Sequence, residues 1–429
     1  LTDVTGVQTC ALPIYLWTIS PLFGQNTKLL SWQEGTMDIH HISTGRGNAT
    51  FLVFPDSTTM IIDCGDMSET QDRVLSERNT PLIPDHSKSP PEWIADYIYQ
   101  FHPEGEKATI DYGLITHFHD DHFGQTDDFR KKHNKGGFLL TGITELGSLI
   151  PFRKIIDRGY DFPVDVRNSE IQKKLILEGN HRTMIETLKE YWKFIDFQAY
   201  NHGLKYEKFR VGSSHQFKLN HQPEKYPDFI VKNLFANGEI SEVAGEENVR
   251  TIKQGEYRGE NELSTGIRIS YGEFDYYTGG DIGGIDRLGQ NDPAGMETRC
   301  APVIGPVEVA TLNHHGNRGS MNSFFVSCLR PQVWIQQTWS ADHPGAEVLK
   351  RITSRELYPG DRDVYTNAIL KANKIVLGIS NKKTYKSLSG HILIRVYPGG
   401  RNFSVIILDD MTNRREITAR YEYFSKPVR

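Results

Sequence analysis

Histidine and aspartate crowd one short run of the chain, His117-Phe118-His119-Asp120-Asp121-His122, directly after the strand-like stretch 112–116. On an extended segment, residues two apart point the same way, so His117 and His119 can grip one metal ion. The chain then turns, which lets Asp121 and His122 face a second ion close by. Imidazole and carboxylate together suit Zn²⁺, with manganese and iron as alternatives, so the expected cofactor is a pair of divalent metal ions. Such a pair makes hydroxide available near neutral pH and clamps a substrate oxygen, with no need for a serine or cysteine nucleophile. No phosphate loop, dinucleotide motif or serine elbow competes with this reading. His86, His102 and His133 read as surface residues.

These side chains need a scaffold. Strand-like runs occur at 37–42, 50–54 and 58–63, the last two joined by the turn Pro55-Asp56-Ser57. Ser89-Pro90-Pro91 opens a helix whose apolar positions Trp93, Ile94, Tyr97, Ile98 and Phe101 recur at helical spacing. From 136 to 258 the pattern is less regular and is expected to be an insertion or lid. It holds one amphipathic helix, with Met184, Ile185, Leu188, Tyr191, Trp192 and Ile195 on one face. Further strands are expected at 263–271, 274–278, 307–312, 333–337 and 374–377. Two closing strands, 391–397 and 403–408, flank the turn Pro398-Gly399-Gly400. Interleaved strands and helices place the chain in the α/β or α+β class.

Composition narrows the partners. The 429 residues are 38% hydrophobic and 24% charged, an ordinary globular balance. A net charge of -5 gives no global basic field and so weakly disfavours a protein built to hold nucleic acid; a small-molecule ester is the expected partner, and a DNA nuclease the less favoured reading. No apolar run approaches the roughly 20 residues that span a bilayer. None of the four cysteines forms a CxxC pair; Cys300 and Cys328 could join in an oxidising compartment, but unpaired buried thiols are the expectation. Residues 4–14 resemble the in-frame translation of a DNA-sequencing adapter, as in a gene taken from assembled reads. Residues 1–14, with Cys10, are therefore set aside as non-native, a single domain is expected over 37–429, and compartment and oligomeric state stay open.

Other segments follow in a telling order: Ile61-Ile62-Asp63-Cys64-Gly65, then Tyr277-Thr278-Gly279-Gly280-Asp281, then Leu312-Asn313-His314-His315-Gly316. With the histidine run, they resemble the motifs of the metallo-β-lactamase superfamily over most of 37–351. The resemblance implies an α/β protein, an αββα sandwich with a mid-chain insertion. It also implies that Asp63 braces the metal loop, Asp281 bridges two ions, and the pair His314 and His315 supplies the last ligand. His315 is favoured as ligand, because adjacent residues leaving a strand point oppositely, and His314 then turns towards substrate.

Within that superfamily, His40-His41-Ile42-Ser43-Thr44-Gly45-Arg46-Gly47-Asn48-Ala49, Asn261-Glu262-Leu263-Ser264 and Asp342-His343-Pro344 are similar to one branch. That branch comprises the extracellular domain of competence DNA-uptake channels and the choline-phosphate esterases of cell surfaces. Asn48 stands where the branch has Asp, and Asn48 and Asn261 are expected beside the ligands rather than on a metal. The superfamily's third histidine has no clear match, since His181, His202, His215 and His221 lie in irregular sequence. One ion would then take His117, His119 and Asp281, and the other Asp121, His122, Asp281 and His315. Asp121 would also orient the attacking water, while His314 or His343 steadies developing charge or protonates the leaving group. The branch implies hydrolysis of a phosphodiester or related phosphate ester. Cleavage of a lactone, carboxylic ester or β-lactam on the same centre is the alternative, for which Tyr191, Trp192, Phe194 and Phe197 either line a wall or belong to the core.

Overall fold

The computed structural model describes residues 28–179, 181–241, 248–257, 259–379 and 385–426. Residues 1–14, including Cys10, lie outside the described residues. In chain order the first strands are β1 (Met37–His41), β2 (Thr50–Val53), β3 (Thr59–Ile62), β4 (Ile110–Ile115), β5 (Phe152–Asp157), β6 (Lys205–Lys208), β7 (Phe229–Ala236), β8 (Glu239–Ile240) and β9 (Val249–Arg250). They are followed by β10 (Gly266–Tyr271), β11 (Phe274–Thr278), β12 (Val309–Thr311), β13 (Val333–Gln336), β14 (Asp363–Thr366), β15 (Tyr385–Ser387), β16 (His391–Val396), β17 (Asn402–Leu408) and β18 (Ile417–Phe424). Two nine-stranded sheets result, ordered β18-β17-β16-β1-β2-β3-β4-β5-β6 and β15-β14-β13-β12-β11-β10-β7-β8-β9.

Alternation along the strands decides the layers, because successive side chains leave a strand on opposite faces. Met37, Ile39 and Leu52 of the first sheet meet Ile267, Ile269, Val333 and Ile335 of the second in one cluster between the sheets. Phe51 and Val53 point the other way and pack under Ile94, Tyr97 and Ile98 of the helix Pro90–Phe101. On the far side, Trp334 packs outward with Cys300, Ile304, Phe325 and Leu329 from the helices Met296–Ile304 and Ser323–Leu329. The order is therefore helix, sheet, sheet, helix. The Pro90–Phe101 helix starts where expected: the Ser89 hydroxyl accepts from Glu92 N–H and the Glu92 carboxylate accepts from Ser89 N–H, with two prolines where no intrahelical donor is needed.

Both sheets mix antiparallel and parallel pairs. In the first, β3, β4, β5 and β6 run parallel; in the second, β11 to β15 do. Parallel neighbours bring their carboxyl ends to a common edge, the place where loops of such sheets gather chemistry. Asp63 follows β3, the histidine run follows β4, Asp281 follows β11, and His314 and His315 follow β12.

Several elements depart from the sequence reading. Residues 374–376, expected as part of a strand, lie in the helix Lys371–Val376, with Ile375 and Val376 exposed; four apolar-rich residues are too short a run to separate strand from helix by period. The expected strand 263–271 begins only at Gly266, after a single turn at Asn261–Leu263. The stretch 136–258 supplies β5 and β6 to the first sheet and β7, β8 and β9 to the second. Within it, Tyr191 and Phe194 are core, and Trp192 and Phe197 pack against that core. His102 is buried rather than on the surface, with Nε2 beside the Thr109 carbonyl at 3.3 Å and its ring against Phe51. Among the described residues Cys64, Cys300 and Cys328 are free thiols, and no helix is long and apolar enough to cross a membrane.

The turn between β1 and β2 closes onto the histidine run through backbone alone. Asn48 N–H donates to the Asp121 carbonyl at 2.7 Å, and Gly65 N–H donates to the Asn48 carbonyl at 2.8 Å. Gly47 has φ +121°, and a Cβ there would collide with the Asp121 carbonyl. We expect Gly47→Ala to lower stability by about 2–4 kcal/mol, from strained backbone and overpacking together. Urea unfolding checks this, and parent-like stability would mean that the loop does not pack as described.

Candidate metal centre

Asp63 organises the histidine run from behind. Its carboxylate accepts from Thr116 N–H at 2.8 Å and from the Thr116 hydroxyl at 2.8 Å, and lies 2.7 Å from His122 Nδ1. Holding Nδ1 in this way leaves His122 Nε2 facing the carboxylates opposite. His315 is oriented alike: Nδ1 lies 3.0 Å from the Gln337 carbonyl, and Nε2 lies 2.9 Å from Asp121 Oδ2. Further bonds sew the loops together, with Cys64 N–H donating to the His122 carbonyl at 2.7 Å and Asp66 N–H to the Asp120 carbonyl at 3.0 Å.

The result is a convergence of like groups. Asp121, His122, Asp281 and His315 are all buried and each brings one ligand atom to within 4.8 Å of the others. His122 Nε2 is 3.3 Å from His315 Nε2 and 3.1 Å from Asp281 Oδ1. His117 Nε2 sits beside this quartet, 3.9 Å from Asp281 Oδ2 and 3.2 Å from His119 Nδ1. Ligand atoms around a tetrahedral ion with bonds of ~2.0–2.1 Å stand about 3.3 Å apart. Buried Asp281 Oδ1 makes no well-aligned hydrogen bond, although His122 Nε2 stands 3.1 Å away. Spacing, donor types and the unsatisfied oxygen together fit a divalent cation.

Electrostatics on the protein groups alone point the same way. Burial opposes ionisation of Asp281, yet His122, His315 and His314 outweigh it and hold the carboxyl well below the usual carboxylate range. Burial likewise opposes charge on His315, but Asp281 and the bond to Asp121 lift it to about 9. His117 goes the other way: burial, reinforced by neighbouring His122, pushes it well below the ordinary histidine range.

The remaining expected residues fall around this core. His314 and His315 do not splay apart as residues leaving a strand would. Both adopt left-handed backbone, φ 48° and 56°, and both rings approach Asp281 Oδ2, at 3.8 Å and 3.5 Å. Asn261 Nδ2 lies 3.4 Å from His314 Nε2. Asn48 acts through its backbone, and its side-chain oxygen has no partner. His343 stacks on His315 with ring centroids 4.7 Å apart, and its Nδ1 also lacks a partner. His202, His215 and His221 are exposed. His181 packs against Tyr257 at 5.3 Å and lies close enough to His119 to feel its charge.

Trp339 escaped the sequence reading. Its indole N–H donates to Asp121 Oδ2 at 2.7 Å, and its ring meets His343 at 5.0 Å. A lone Trp just after a strand carries no spacing that distinguishes such a role from core packing. Arg73 lies 6.0 Å over the Trp339 ring and pairs with Asp120. The rim of the site is thus aromatic, with an ion pair beside it.

Residues 43–177 match the family model described as the metallo-beta-lactamase superfamily. The matched stretch holds Asp63 and the whole histidine run, and ends before Asp281. No curated protein matches the chain. Among solved structures, one similar to this chain is the metallo-beta-lactamase fold protein YhfI from Bacillus subtilis, at 11% identity and TM-score 0.36 over 76% of this chain and 96% of that one. Another is the hydrolase AbOPH of the beta lactamase superfamily, at 11% identity and TM-score 0.28 over 60% of this chain and 75% of that one. The two large sheets with flanking helices match the metallo-β-lactamase fold.

Because burial is outweighed by Asp281 and Asp121, which lift the His315 ring to about 9 on the protein alone, a metal ion bound through His315 would have to displace a proton. Apparent metal affinity is therefore expected to rise from pH 6 towards pH 9, and loading at pH 7 to release protons. Calorimetric titration in buffers of different ionisation enthalpy measures this directly. A pH-independent affinity without proton release would show that His315 does not meet the ion.

Proposed function

We propose that this protein is a hydrolase that works with divalent metal ions, two of them and most simply zinc, on a phosphodiester or related phosphate ester. The observation that carries the reading is the buried convergence of Asp121, His122, Asp281 and His315, with His117 and His119 alongside. His117, His119 and Asp281 would hold one ion, and Asp121, His122, Asp281 and His315 the other. Bound there, divalent ions supply Lewis acidity and a water activated near neutral pH.

The chain's own residues do the rest. Asp121 is pinned through one oxygen by the Trp339 indole N–H, so its carboxylate is held ready to orient a water. His314 is part exposed, and burial lowers its proton affinity. A neutral His314 offers substrate one N–H and one lone pair. His343, held by stacking on His315, is likewise pushed well below the histidine range by burial and then by His315. It acts as a hydrogen-bonding group rather than as a cation.

A phosphate ester is favoured over a lactone, carboxylic ester or β-lactam for a physical reason. The aromatic residues available for an apolar wall are used elsewhere: Tyr191 and Phe194 are core, and Trp192 and Phe197 pack against it.

The reading is checked on purified protein by metal analysis and a panel of chromogenic phosphodiesters, phosphomonoesters, lactones, aryl esters and a cephalosporin. We expect about two equivalents of metal, selective phosphodiester cleavage, and loss of turnover with chelator. His119→Ala is expected to lower kcat by 100-fold or more, on the order of 3 kcal/mol of barrier. Preference for lactone or acyl ester would move the substrate to the alternative, and metal-independent turnover would overturn the centre itself.

A further inference from the structure

One short segment touches every loop that bears a candidate ligand. The Thr265 amide donates to the Thr116 carbonyl at 3.0 Å, next to His117. The Ser264 hydroxyl accepts from Asp281 N–H at 3.1 Å, Asn261 reaches His314, and Glu260 Oε1 accepts from Phe118 N–H at 3.0 Å. Phe118 stands between His117 and His119, so the orientation of its peptide sets how the two imidazoles are presented.

Glu260 is held with unusual completeness. Arg158 grips both its oxygens, Nε to Oε1 at 2.5 Å and Nη2 to Oε2 at 2.9 Å, and both side chains are fully buried. The Tyr257 hydroxyl donates to Oε2 at 2.8 Å. Arg158 is fixed in turn by the carbonyls of Gly159 and Phe162 at 3.1 and 3.0 Å, and its guanidinium lies 4.6 Å over the Phe118 ring. A buried ion pair contributes little net stability once desolvation is counted. Its value here lies in holding an acceptor rigidly against one amide of the metal loop.

We infer that Glu260 is a positioning residue for the metal loop: clamped by Arg158, it fixes the Phe118 peptide and with it the spacing of His117 and His119. The inference rests on those two histidines holding a metal ion. Removing Glu260 alone would strand a buried guanidinium and confound the test, so two charge-free double variants are compared. Arg158→Met with Glu260→Gln keeps an acceptor for Phe118 N–H, whereas Arg158→Met with Glu260→Met removes it.

Zinc affinity by competition with a chromophoric chelator, and the visible spectrum of the Co²⁺-loaded protein, are the readouts. We expect the Gln double variant to bind zinc within about threefold of the parent, and the Met double variant 10–100-fold more weakly with an altered Co²⁺ spectrum. Equal affinities and spectra in the two double variants would overturn the positioning role. A parent that takes up no metal would overturn the metal reading as well, so the two failures are distinguishable. If either double variant fails to fold, Arg158→Lys keeps the buried charge but gives up the two-pronged grip. It should bind zinc several-fold more weakly, and parent-like binding would again overturn the role.

Discussion

Everything in this molecule answers to one electrostatic constraint: two carboxylates and several imidazoles are buried within hydrogen-bonding distance of one another. Asp121 and Asp281 repel each other away from water, and the facing nitrogens of His122 and His315, 3.3 Å apart, cannot both present lone pairs without something positive between them. Such a group is costly in a protein interior unless protons or a cation compensate it. Asp63 behind His122 and the Gln337 carbonyl behind His315 exist to meet that constraint, since each turns one ring nitrogen outward and leaves the other for the centre.

The fold makes the crowding tolerable by spreading the ligands over both sheets. Parallel neighbours bring the ends of β3, β4, β11 and β12 to one edge, so no single loop has to supply more than a few groups. The loops are then tied by backbone: Asn48 to Asp121, Gly65 to Asn48, Cys64 to His122. Small residues at Gly47 and Gly65 allow that close approach, because a side chain at either would run into Asp121. Such ties leave little freedom for the ligands to relax apart, which is the preorganisation a metal site requires.

The chemistry follows from what is buried and what is left at the mouth. Buried Asp121, His122, Asp281 and His315 suit a cation, while part-exposed His314, Asn261 and Trp339 form a polar and aromatic rim, with the Arg73–Asp120 ion pair beside it. The aromatic helix face of Tyr191 and Phe194 covers the first sheet and lines no pocket at the centre. The same segment of chain, 260–265, reaches the histidine run, Asp281 and His314, so the rim and the floor of the site share one support.

By itself the sequence determined the local parts: the histidine run after a strand, the helix opened by Ser89-Pro90-Pro91, and the alternating strands around it. Spacing along the chain decides these, because neighbours in sequence are neighbours in space over a few residues. Periodicity gave little between 136 and 258, where β6, β8 and β9 are only two to four residues long and burial along β5 and β7 alternates only in part, and it read 374–377 as strand where a helix forms. The sequence also could not say how His314 and His315 would point. Strand alternation predicts opposite directions, but the left-handed turn after β12 aims both at Asp281. Only the tertiary structure brought Trp339 to Asp121 and Glu260 to Phe118, since those partners are 218 and 142 residues apart, and nothing in their local pattern marks a contact that is made only when two sheets close on each other.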